Sequence, residues 1–89
     1  MKVSIHAKST EKIKRHSKKR LYFLCTSPNN PYEFEIIKGR YLTKKYDQCY
    51  LLGLAQNKQT VVEYLIEIID ALYNKKTLSF EALQEEGKL

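Results

Sequence analysis

Residues 57–76 read NKQTVVEYLIEIIDALYNKK, and this stretch decides the fold. Its apolar residues recur at intervals of three and four, which predicts an amphipathic helix over 57–76. We expect two adjacent rows to pack against the rest of the protein: Val61, Leu65, Ile68 and Leu72 in one, and Val62, Ile66, Ile69 and Tyr73 in the other. The charged residues Glu63, Glu67 and Asp70 lie on the opposite side. Lys75 and Lys76 favour the carboxyl end of the helix.

The start of this helix has two candidate caps. Thr60 and Glu63 have the spacing of a capping box, in which each side chain bonds the other residue's amide. Asn57 is the alternative cap, one turn earlier. A second, short helix is predicted over 79–86, where Leu78 and Leu83 have the spacing of a hydrophobic staple.

Four segments upstream of the helix have the composition of strands. Val3, Ile5 and Ala7 alternate with polar residues and predict a short edge strand. The other three segments are 21–26, 32–37 and 49–55, which are rich in aromatic and β-branched or leucine residues. Ser27 to Pro31, with two prolines and two asparagines, predicts a turn between the first two of these. The chain is therefore expected to be a single α+β domain over 1–89: a small antiparallel sheet of three or four strands, arranged as a meander, with the long helix on one face.

The predicted sheet is apolar on both faces. Strict alternation divides the apolar residues into two faces, and either could lie beneath the helix. Leu21, Phe23, Cys25, Phe34, Ile36, Cys49 and Leu51 form one face, and Tyr22, Leu24, Ile37, Tyr50, Leu52 and Leu54 form the other. An apolar face of that size needs a cover. The alternatives are the C-terminal helix or N-terminal strand, a second copy meeting it through Tyr22, Leu24, Tyr50 and Leu52, and unpaired bases stacked on Tyr22 and Tyr50.

Charge is distributed very unevenly along the chain. Residues 1–20 contain eight Lys or Arg and one acid, whereas residues 57–89 contain four basic and six acidic residues. The net charge of the whole chain is +6. The basic N-terminal part therefore requires water or an anionic partner around it.

Two basic segments are candidate contacts to nucleic acid. Residues 8–20 form a basic loop or arm, in which Lys12, Arg15, His16 and Lys19 would form a stripe if the arm were helical. Residues 40–46 interleave basic residues with Tyr41 and Tyr46, which would either stack on bases or pack their rings over the sheet edge. The candidate nucleic-acid-binding residues are Lys12, Lys14, Arg15, Lys18, Lys19, Arg20, Arg40, Lys44 and Lys45.

Residue types that carry catalysis or bind metals are sparse. Cys25 and Cys49 lie in apolar runs and are expected to be buried free thiols. They and the two histidines lack the paired spacing of metal ligands, so no metal and no cofactor are predicted. No recognised catalytic motif is present, and an enzyme is not expected.

The sequence therefore favours a small, non-enzymatic nucleic-acid-binding protein. The alternative is a protein-interaction module, a homodimer or an adaptor, acting through the apolar sheet face. A solvated basic loop without a partner and an acidic protein partner also remain open. An acidic lipid is the other anion that we considered, but the arm lacks the apolar face of a membrane-surface helix, so no membrane partner is predicted. No secretory signal, transmembrane span or small-molecule site is evident, and the Lys-, Ile- and Asn-rich composition favours a bacterial, cytoplasmic protein.

Overall fold

A computed structural model describes residues 1–9 and 18–86 of the chain. The strands are β1 (Lys2–Ser9), β2 (Tyr22–Thr26), β3 (Phe34–Lys38) and β4 (Tyr50–Ala55). The helices are α1 (Lys58–Ile69), which continues into a π-helical turn (Asp70–Asn74), and α2 (Phe80–Leu83). Three 3₁₀ turns span Lys18–Arg20, Gly39–Tyr41 and Lys44–Tyr46.

The four strands form one mixed sheet in the order β1-β4-β2-β3. Strand β2 is antiparallel to both β3 and β4, and β1 is parallel to β4. The α+β class and the long and short helices are confirmed, but the all-antiparallel meander is wrong. The connection between β3 and β4 carries the chain across the sheet, so β4 pairs with the far side of β2 instead of with β3.

Helix α1 lies over β2 and β4 and buries one face of the sheet. Leu24 and Leu52 are fully buried there against Val61 and Ile68 of α1. Leu83 of α2 joins the same cluster, while Tyr22, Tyr50, Phe34 and Ile36 pack at its margin. Alternation left open which face the helix covers, and the structure places Tyr22, Leu24, Tyr50 and Leu52 on the helix side, where they cannot form the predicted interaction surface.

A bulge in β4 explains why Leu51 and Leu54, which alternation places on opposite faces, lie on the same face. Leu24 pairs with Gly53 and Cys25 with Leu51, so Leu52 is an extra residue in the ladder. Leu51 and Leu54 consequently lie in one cluster with Leu21 and Phe23, on the face opposite the helix. Strict alternation along β4 cannot predict that arrangement.

The second apolar face is covered by the connection between β3 and β4. Leu42 packs against both clusters on this face, and Tyr46, which is 4% exposed, lies against Cys25 and Cys49. Val3 of β1 contributes at one side. The predicted C-terminal cover is wrong, because Leu83 of α2 packs on the helix side. The fold thus has three layers: helices, sheet, and the 39–49 connection.

Helix α1 also differs from its predicted burial. Val61, Ile68 and Leu72 are buried, as expected. Ile66 and Tyr73, however, are each 59% exposed, and Ile69 is 39% exposed. The second predicted row therefore lies mostly at the surface, because one narrow sheet can cover only one row of a helix.

The cap of α1 gives a direct test of the local structure. Asn57 is the N-cap, and its side chain accepts a hydrogen bond from the Gln59 amide at 2.8 Å. Thr60 lies within the first turn, so the capping box predicted at Thr60 and Glu63 does not begin the helix. We expect Asn57→Ala to lower the free energy of unfolding by about 1 kcal/mol, measured by urea denaturation. Thr60→Ala is the matched control and should cost little, since alanine is the better helix former. A larger loss for Thr60→Ala than for Asn57→Ala would contradict this assignment.

Candidate nucleic-acid interface

Two basic segments that are about twenty residues apart in the sequence meet on one side of the molecule. The turn Lys18–Arg20 contacts the turn Gly39–Tyr41. The Gly39 amide donates to the Leu21 carbonyl at 2.8 Å, which fixes the two turns side by side. A Cβ atom on Gly39 would overlap with the Lys18 carbonyl oxygen, so only glycine permits this approach.

The contact brings together five exposed cations, which we call the basic surface: Lys18, Lys19, Arg20, Arg40 and Lys44. Within residues 1–9 and 18–86, ion pairs join Lys2 to Glu86, Lys8 to Glu67 and Lys75 to Asp70. None of these pairs includes a residue of the basic surface. Within these described residues, no carboxylate neutralises the cations of the basic surface, and such a cluster attracts anions.

An open cleft of about 420 Å³ separates the two segments of the basic surface. It is lined by Met1, Lys18, Leu42, Thr43, Lys44, Tyr46 and Asp47. Lys18 and Lys44 supply one cation from each segment, against the single carboxylate of Asp47. The cleft walls thus favour an anionic group over a neutral one.

The other predicted nucleic-acid-binding residues have different positions. Lys12, Lys14 and Arg15 lie outside the described residues, as does His16. Lys45 is exposed but lines a separate cleft with Ser27 and Gln48, and its amine lies 5.2 Å from the Tyr46 ring centroid. The structure therefore unites five of the nine predicted cations and separates Lys45 from them.

Tyr46 fixes the connection between β3 and β4, which carries Arg40 and Lys44 of the basic surface. Its hydroxyl donates to Glu35 Oε1 at 2.8 Å, and the Ser27 hydroxyl donates to Oε2 of the same carboxylate at 2.8 Å. Burial and this bond raise the pKa of Tyr46 to about 12. The bonds from Ser27 and Tyr46 lower the pKa of Glu35. Sequence reasoning missed this cluster, because Glu35 alternates as an ordinary solvent-facing residue of β3.

Tyr41 and Tyr46 have opposite roles, although five residues separate them. Tyr46 packs over the sheet as one of the two predicted alternatives has it, with its hydroxyl bound to Glu35 instead of water. Tyr41 is 60% exposed, and the Arg40 guanidinium carbon lies 5.7 Å from its ring centroid. Of these two tyrosines, only Tyr41 has a ring that is accessible to a ligand.

The predicted interaction surface is not accessible in this fold. Leu24 and Leu52 are both 0% exposed beneath α1, and Tyr22 and Tyr50 pack at the margin of the same cluster. A partner could reach the two leucines only if α1 left the sheet. These four residues are therefore core or near-core residues.

The chemistry of the remaining polar groups is limited. Cys25 and Cys49 are free and buried. Burial raises the pKa of Cys25 to about 12 and also raises that of Cys49, so the thiols stay protonated at neutral pH. In the part of the chain that the structure describes, no group of three or more His, Cys, Asp or Glu side chains could hold a metal ion. No helix there is long and apolar enough to cross a membrane.

Comparisons with protein-family models, with curated proteins and with solved structures found no match to this chain. The functional argument therefore rests on the geometry of the basic surface.

The Glu35 cluster predicts a specific dependence of stability on pH. Because the folded-state pKa of Glu35 is below its ordinary value of 4.5, its contribution is complete above that value and is lost as the pH falls through the folded-state pKa. Glu35→Gln should lower the free energy of unfolding at pH 7 by about 1–3 kcal/mol and flatten its decline below pH 4.5. Urea denaturation over a pH series measures both. Glu33→Gln is the control, because Glu33 is exposed and lies two residues before Glu35. Equal pH profiles for the two variants would contradict the role of Glu35 as the hydrogen-bond acceptor of this cluster.

Proposed function

We propose that the protein is a non-enzymatic nucleic-acid-binding protein that contacts phosphates through the basic surface. The observation that carries this proposal is the backbone contact at Gly39, which joins two basic segments into one exposed cationic surface. Each Lys or Arg that meets a phosphate releases a condensed counterion, which gives binding its favourable entropy. The bacterial cytoplasm is the setting in which we expect it to act.

The position of the acidic residues supports binding of a polyanion at the basic surface. Four of the ten acids, Glu63, Glu67, Asp70 and Glu81, lie on α1, its π-helical turn and α2. The basic surface belongs to the turn that precedes β2 and to the connection that covers the other face of the sheet. These four carboxylates thus lie in the helix layer, away from Arg40 and Lys44 in the connection, which favours approach of a polyanion from the side of the basic surface.

The salt dependence of binding tests this proposal. If five phosphates of a labelled duplex DNA are neutralised, the plot of log K against log salt has a slope near −4.5, measured by fluorescence anisotropy. The triple variant Lys18→Gln, Lys19→Gln, Arg20→Gln should flatten the slope by about 2.7. The matched control removes three cations from the helix layer: Lys58→Gln, Lys75→Gln and Lys76→Gln. Equal slopes for the two triple variants, or no binding by the wild type at low salt, would contradict the proposal.

Self-association is a second candidate function, favoured by the unequal edges of the sheet. At the β1 edge, Ser4 forms a bridge with Glu86 and the Ile5 amide donates to the Glu85 carbonyl at 2.9 Å. At the other edge, β3 pairs with β2 alone among the described strands. An open edge can pair with the same edge of a second copy.

The hydrogen-bond pattern shows which groups of β3 are free for such pairing. Ser27 donates to the Glu33 carbonyl and Gly39 to the Leu21 carbonyl, so the odd-numbered residues of β3 face β2. Phe34, Ile36 and Lys38 therefore direct their backbone groups outward. Antiparallel pairing about Ile36 would join two sheets with both basic surfaces on the same side.

A pair of substitutions separates backbone pairing from side-chain packing at this edge. Ile36→Pro removes the outward amide, whereas Ile36→Ala shortens the side chain to a similar extent and keeps the amide. We expect light scattering to show a dimer for the wild type and for Ile36→Ala, and a monomer for Ile36→Pro. Circular dichroism checks that both variants remain folded. A wild type that is monomeric at every concentration would exclude this candidate.

A further inference from the structure

Tyr41 gives the basic surface an exposed aromatic ring. Its ring belongs to the turn Gly39–Tyr41, which contacts the turn Lys18–Arg20, and the residue is 60% exposed. The next two residues, Leu42 and Thr43, line the cleft between Lys18 and Lys44. Tyr41 does not line this cleft but directly precedes Leu42, so a strand that runs from those two lysines over the contacting turns can reach its ring.

The other aromatic residues close to the basic surface in the sequence or the sheet are packed within the protein. Tyr46 is buried and donates to Glu35, and Phe23 is 2% exposed in the sheet core. Tyr22 and Tyr50 pack on the helix side of the sheet. Tyr41 is thus the exposed aromatic side chain within the turns that form the basic surface.

The neighbouring guanidinium strengthens the case for a planar ligand. Arg40 lies with its guanidinium carbon 5.7 Å from the Tyr41 ring centroid. An aromatic ring and an arginine side by side bind nucleobases by stacking and cation–π attraction. In a duplex the base faces are already stacked on one another, whereas in a single strand they are free.

We propose that Tyr41 stacks on an unpaired base while Lys18 and Lys44 hold the adjoining phosphates, so that the basic surface prefers single-stranded nucleic acid to duplex. This inference rests on the proposed function and specifies its ligand. The chemistry of an unpaired base is common to RNA and single-stranded DNA. Parallel measurements with oligo(U) and oligo(dT) distinguish these two sources.

Fluorescence anisotropy with charge-matched probes tests the stacking directly. The probes are labelled oligo(dT), oligo(U), an abasic oligonucleotide of the same length, and a duplex. We expect the wild type to bind oligo(dT) or oligo(U) more tightly than the abasic strand by roughly 5- to 150-fold, the range for one stacked base. Tyr41→Ala should remove that difference, and Tyr41→Phe should keep it, because stacking needs the ring and not the hydroxyl.

Tyr32→Ala is the matched control, because Tyr32 is also 60% exposed but packs against Phe80 on the helix side. It should leave all four affinities unchanged. Tyr41→Ala should also leave the salt slope unchanged, since no charge is removed. If the abasic strand binds as tightly as oligo(dT) with a steep salt slope, the stacking proposal is overturned while phosphate binding stands. If none of the probes binds, both proposals are overturned.

Discussion

The structure depends on a sheet that is apolar on both faces and therefore needs two covers. Helix α1 supplies one, with Val61 and Ile68 against Leu24 and Leu52. Among the described residues, 1–9 and 18–86, there is no second long helix for the other face. The connection between β3 and β4 takes that role through Leu42 and Tyr46. This connection contains polar residues as well as apolar ones, and its exposed cations Arg40 and Lys44 belong to the basic surface.

The Tyr46–Glu35 hydrogen bond is what allows a polar segment to serve as a core layer. A tyrosine that is 4% exposed must satisfy its hydroxyl within the protein. Glu35 accepts that bond together with one from Ser27, so the carboxylate ties three segments of the chain to one point. With the connection held in this way, Gly39 can bring Arg40 and Tyr41 against the Lys18–Arg20 turn. The stability of the core and the position of the basic surface are therefore coupled.

The sequence was informative wherever a signal was local. The helix over 57–76, the four strands and the short C-terminal helix could all be read from periodicity and composition, and the structure has each of them. The strand order could not, since β2–β4 pairing depends on where the 39–49 connection crosses. The face that the helix covers could not be predicted for a related reason: β2 and β4 are apolar on both sides, and the bulge at Leu52 interrupts the alternation. Hydrophobicity alone cannot choose between two apolar faces.

The candidate site shows the same division between local and long-range information. That residues 18–20 and 40–46 are basic is evident from composition, but that they meet is a consequence of Gly39 and of a close backbone approach. Likewise, Tyr41 and Tyr46 look alike in sequence, and only the position of Glu35 assigns one to the core and leaves the other exposed. The burial of Tyr46 has a physical consequence for the exposed Tyr41. A buried tyrosine fixes the turn, and a fixed turn lowers the entropy that an exposed tyrosine and its neighbouring cations must lose on meeting a ligand. The anchoring of Tyr46 thus prepares the surface that Arg40, Tyr41 and Lys44 present.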